Sequence, residues 1–150
     1  MKLFRVAGAA LFAAISLTLA ACGGTTQNPD SVAKAFMSAY AKKDAAGMLA
    51  LMSEESGSNR QTVSDAVKEG PTSEAYQNIF DEEMMKIVAR AKVEGPRYQT
   101  NGRPVFKVAE DGGSVMVMVL DQKDGKWSIV ELSDMSPPEF MALPDKKPAA

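Results

Sequence analysis

Residues Ser114 to Asp121 read Ser-Val-Met-Val-Met-Val-Leu-Asp, six apolar residues in a row between two polar ends. Val, with its branched Cβ, favours the extended chain. In a strand, Val115, Val117 and Val119 point one way and Met116, Met118 and Leu120 the other. A strand apolar on both faces must be covered on both faces. Its neighbours read as strands too. Pro104 to Glu110 alternates and is joined to it by Asp111-Gly112-Gly113, a turn signal. Asp124-Gly125 turns the chain into Lys126 to Leu132, where Trp127 and Ile129 oppose Ser128, Val130 and Leu132. Upstream, Val93 to Thr100 is a strand interrupted by Gly95-Pro96, and Asn101-Gly102 is a hairpin turn signal. The second half of the chain therefore reads as an antiparallel meander.

The half before it has helical spacing. Asp30 or Ser31 can cap a helix to about Lys43, with Val32, Phe36, Ala39 and Tyr40 on one face. Asp44 can cap a short second helix carrying Met48, Leu49, Leu51 and Met52. Ser53 to Asn59 is polar and reads as a loop. Arg60 to Glu69 groups Val63, Ala66 and Val67, and Gly70-Pro71 stops it. The longest stripe runs from about Ser73 to Ala91 through Tyr76, Ile79, Phe80, Met84, Ile87, Val88 and Ala91. Asp81-Glu82-Glu83 falls on its solvated side. Helices followed by a meander predict an α+β fold, N-terminal helices packed on a curved antiparallel sheet.

The N-terminus carries a different message. Lys2 and Arg5 precede an apolar run, Val6 to Leu19, and small residues follow at Ala20 and Ala21. That order is the pattern of a secretory signal. Val6 to Ala21 supplies 16 residues, short of the roughly 20 that cross a bilayer as a helix. Leu19-Ala20-Ala21-Cys22 resembles the lipobox of bacterial lipoproteins. By that resemblance Cys22 is the lipidation site, residues 1–21 are a signal peptide removed before it, and the membrane is a partner through the lipid. One acyl chain binds only marginally, whereas two anchor stably. An ordinary secretory signal with an incidental Cys is the alternative. Gly23 in place of an Asp fits the outer-membrane sorting pattern of such lipoproteins, with the domain on the periplasmic side. Residues 22–29 then form a lipidated Cys and a small, polar tether.

Removal of residues 1–21 leaves 129 residues with 15 basic and 19 acidic side chains, interspersed. This suits one domain, residues 30–133, followed by a Pro-rich tail, 134–150, whose Phe140, Met141 and Leu143 can dock on it. No basic stripe marks a nucleic-acid surface. The chain has no His and a single Cys. It therefore lacks the usual general base, the commonest metal ligand and any intramolecular disulfide. No cofactor is expected.

The segments Ser31-Val32-Ala33-Lys34-Ala35-Phe36-Met37-Ser38-Ala39-Tyr40, Lys43-Asp44 and Asp124-Gly125-Lys126-Trp127-Ser128-Ile129-Val130 occur in a familiar order. Across Pro29 to Leu132 the chain resembles the nuclear transport factor two-like superfamily, shared with SnoaL-like proteins and ketosteroid isomerases. Within it, the chain is most similar to lipoproteins of the lumazine-binding-like branch. The resemblance implies a cone-shaped fold with a pocket at its open end. Phe36, Tyr40, Met84, Met116, Met118 and Trp127 are then its candidate lining, or alternatively ordinary core. Catalytic and metal residues are not assigned.

Three functions stay open on these residues. The first is a non-enzymatic envelope module that binds a small apolar ligand or an envelope protein. The second is an isomerase- or cyclase-like enzyme using a pocket Tyr and Asp, with Tyr40, Asp44 and Asp121 as the groups to examine. The third is an assembly module, a homodimer formed through the outer sheet face. Met116 and Met118 on one face also raise Cu(I), which the scatter of the other methionines disfavours.

Overall fold

The structure, a computed structural model, describes residues 28–110 and 113–149. The expected signal 1–21, Cys22, the expected tether up to residue 27, the Asp111-Gly112 turn signal and the side chains of Ser114 and Val115 lie outside the described residues.

Among the described residues, six α-helices and four strands follow one another as α1 (Pro29–Ala41), α2 (Ala45–Ala50), α3 (Gly57–Glu69), α4 (Glu74–Ile79), α5 (Glu82–Arg90), β1 (Lys92–Tyr98), β2 (Pro104–Glu110), β3 (Gly113–Lys123), β4 (Lys126–Ser133) and α6 (Pro137–Ala142). The strands form one antiparallel curved sheet in the order β1-β2-β3-β4. This is the expected α+β class. Among the described residues, no helix is long and apolar enough to cross a membrane.

The helix ends differ from the sequence reading. α1 is capped by Asn28, whose side chain accepts from the Ser31 N–H, with Pro29 opening the helix. It ends at Ala41. α2 is capped by Asp44 as expected, through the Gly47 N–H. The segment read as a loop, Ser53 to Asn59, instead makes a 3-10 turn at Glu54–Ser56 and the first residues of α3. The long helix expected over Ser73 to Ala91 is two helices. Phe80 leaves the helical conformation at φ −110°, ψ 38°, and the Asp81 carboxylate takes the Met84 N–H to start α5. An Asx cap of this kind competes with continued helix.

Both faces of β3 are covered. One face meets α1 to α5, where Phe36, Val32, Phe106, Met118, Leu120 and Ile129 are fully buried. The other holds Val105, Val117, Val119 and Val130 beneath Phe140 of α6. The tail expected after residue 133 is thus partly a structural element of the domain. A register shift between Val119 and Leu120 inserts an extra residue into β4. Beyond it, Leu132 pairs with Met118 and packs on the helix side with Ile129, while Val130 packs on the α6 side. Strict alternation had placed Leu132 with Val130.

Candidate functional site

Two residues four apart on α1 set the centre of the site. Phe36 and Tyr40 share a helix face and meet edge to face at 6.4 Å. Phe80 continues the row at 5.6 Å from Tyr40, and Tyr76 lies 4.6 Å from Phe80. The Tyr40 hydroxyl donates to the Ile79 carbonyl at 2.8 Å, and the Tyr76 hydroxyl to the Lys43 carbonyl at 3.0 Å. These two bonds tie α4 to α1 and to the turn that follows it, the first of them partly buried. Burial, with the nearby Asp81 charge second, pushes the Tyr40 phenol from 10.0 up to about 12.

Beside this aromatic row lies an open cavity of about 340 Å³. Phe36, Tyr40, Met48 and Val63 form its helical wall, Ile79 and Met84 close it at the α4–α5 break, and Met116 and Leu132 contribute from the sheet. Its polar edge is Asn59, Thr62, Ser133 and Asp134. The Asn59 amide donates to the Leu132 carbonyl at 2.8 Å and so ties α3 to β4.

Of the residues singled out by sequence, Phe36, Tyr40, Met84 and Met116 border this cavity. Met118 does not. It is fully buried, in register between Phe106 on β2 and Leu132 on β4. Trp127 is half-buried at the far end of β4 and lines a separate polar recess of about 220 Å³ with Arg103, Asp121 and Lys147. Cys22 lies outside the described residues. Met48, Val63, Ile79 and Leu132 carried a sequence signal as apolar positions of their elements. The edge residues carried none, because polar residues near element ends look alike whether they face a cavity or bulk water.

The carboxylates raised for catalysis have other partners. Asp44 caps α2. Asp121 accepts from Arg103 at 2.7 Å and 3.1 Å, and Arg103 also reaches Glu55 at 3.0 Å. Tyr40 and Asp44, four apart in sequence, share no hydrogen bond among the described residues. No group of three or more His, Cys, Asp or Glu side chains that could hold a metal ion occurs among the described residues. The outer sheet face, expected to meet a second copy, carries α6.

Comparison with protein-family models, with curated proteins and with solved structures gives no match.

Proposed function

We propose that this chain is a lipid-anchored envelope module whose folded domain binds a small, largely apolar ligand in the cavity between its helices and its sheet. The single observation behind this reading is the cavity itself. Its volume of about 340 Å³ falls within the roughly 300–1,000 Å³ of ligand sites, which are mostly apolar with a few polar groups. Its walls are Phe36, Met48, Val63, Ile79, Met84, Met116 and Leu132, with polar groups gathered at one edge. The state of Tyr40 supports binding over proton transfer. Its proton is committed to Ile79 and held more tightly than an ordinary phenol holds its own. The anchor rests on Leu19-Ala20-Ala21-Cys22.

Native mass spectrometry of the domain purified from envelopes tests the ligand reading. A bound small molecule is expected, lost on Met84→Trp, which fills the cavity from its α5 side. An empty domain, with no thermal shift across an envelope-extract panel, counts against it. Cys22→Ser is expected to abolish lipid labelling and leave the precursor uncleaved. Normal processing of that variant would return the segment to an ordinary secretory signal.

A further inference from the structure

The polar edge of the cavity is one-sided in its hydrogen bonding. Both side-chain hydroxyls there are already turned to protein acceptors, and so is one of the two Asn59 amide N–H groups. The Thr62 hydroxyl donates to the Ser58 carbonyl at 3.0 Å. The Ser133 hydroxyl donates to Glu131 at 2.8 Å. Asn59 spends an amide N–H on the Leu132 carbonyl, and Tyr40 spends its hydroxyl on the Ile79 carbonyl. What these groups leave is mostly oxygen lone pairs, beside one remaining Asn59 N–H. Asp134 adds a carboxylate, which has no ion-pair or hydrogen-bond partner among the described residues. It is the one charged group of the described lining, and no Lys or Arg belongs to that lining.

An edge rich in acceptors, with one carboxylate and neither Lys nor Arg, discriminates between ligand heads. Asn59, Thr62 and Asp134 are exposed, so a head group there stays partly hydrated, and a carboxylate or phosphate head would gain no cation and face the Asp134 charge. A protonated amine brings three N–H donors and a positive charge to the same oxygens, and charge-assisted hydrogen bonds are the stronger kind. We propose, granted that the cavity is a ligand site, that its occupant is an amine-headed amphiphile: an apolar body against Met84 and Met116, and an ammonium head at Asp134, Thr62 and Asn59.

Octylamine, octanol and octanoate give three heads on one apolar body. Their binding is measured by calorimetry at pH 7 on the mature chain from position 22 carrying Cys22→Ser, which keeps every residue of both cores. Octylamine is expected to bind about tenfold more tightly than octanoate, a modest factor because the edge is exposed and its charge-assisted hydrogen bonds are partly screened. Asp134→Asn is expected to collapse that preference, weakening octylamine far more than octanol, and Met84→Trp to remove all three. Octanoate binding as well as octylamine, or a preference that survives Asp134→Asn, overturns the amine assignment and leaves the cavity a ligand site. Binding of none of the three, or binding indifferent to Met84→Trp, overturns the ligand site itself.

Discussion

Phe140 sits between two cations: Lys107 Nζ lies 5.3 Å from its ring centroid and the Arg97 guanidinium carbon 5.7 Å. Lys107 is buried in β2 yet ion-paired with Glu94 at 2.9 Å. Arg97 also donates to the Met141 and Leu143 carbonyls at 3.0 Å and 2.7 Å, which closes the C-terminal end of α6. At the other end Ser136 and Glu139 form a capping box. A six-residue helix is too short to persist alone. It holds because its ends are capped and its one buried ring fills the space over Val105, Val117, Val119 and Val130.

Phe140→Ala is expected to cost about 3–5 kcal/mol, the usual range for emptying a buried Phe site. Urea denaturation gives the value. Deleting residues 135–150 should do more than destabilise. It bares four valines on one sheet face, so light scattering is expected to show association of whatever chain stays folded.

Tyr40 makes stability fall in alkali. Because the folded state holds this phenol at about 12 against an ordinary 10.0, its contribution is whole below pH 10. It drains away as pH rises toward 12, since the unfolded chain ionises first. The loss is on the order of 2–3 kcal/mol. Tyr40→Phe is expected to cost about 1 kcal/mol at pH 7 through the unpaired Ile79 carbonyl. It should also flatten the alkaline limb of stability against pH, and the difference between the two denaturation series isolates Tyr40 from the other tyrosines.

Met116 and Met118 look equivalent on their strand and are not. Met118→Ala is expected to cost about 2–5 kcal/mol, because it opens a void in a closed part of the core. Met116→Ala enlarges a space that is already open, so the cost should be well below that. Equal losses in thermal denaturation would mean that the cavity is not open to water.

Gly95 is required by its backbone. It has φ of 131°, and a Cβ there would stand 2.9 Å from the Val105 carbonyl oxygen of the paired strand. Gly95→Ala is expected to cost about 1–3 kcal/mol, the range for a strained backbone position. A variant as stable as the parent would show that β1 can shift its register at the Glu94/Arg97 irregularity.

Much of the layout was legible along the chain. The apolar run of β3 predicted cover on both its faces, and both faces are covered. The Asp44 cap and the Gly70 stop stand where the sequence put them. The Asp81 cap was hidden because the stripe from Tyr76 to Ala91 keeps helical spacing straight through it. Asp81 was read as one more solvated charge, and only the hydrogen bond to the Met84 N–H makes it a boundary.

The class of fold and many of the positions that avoid water follow from the chain alone, because periodicity and turn residues are local properties. Tertiary structure decided the rest. The extra residue in β4 moved Leu132 to the helix side and Val130 to the α6 side. Packing assigned Met116 to the cavity and Met118 to the core, although both stand on one face of one strand. It also brought the Asn59 amide of α3 onto the Leu132 carbonyl of β4. Each of these outcomes depends on which distant segment lies opposite, and spacing along a chain carries no record of that.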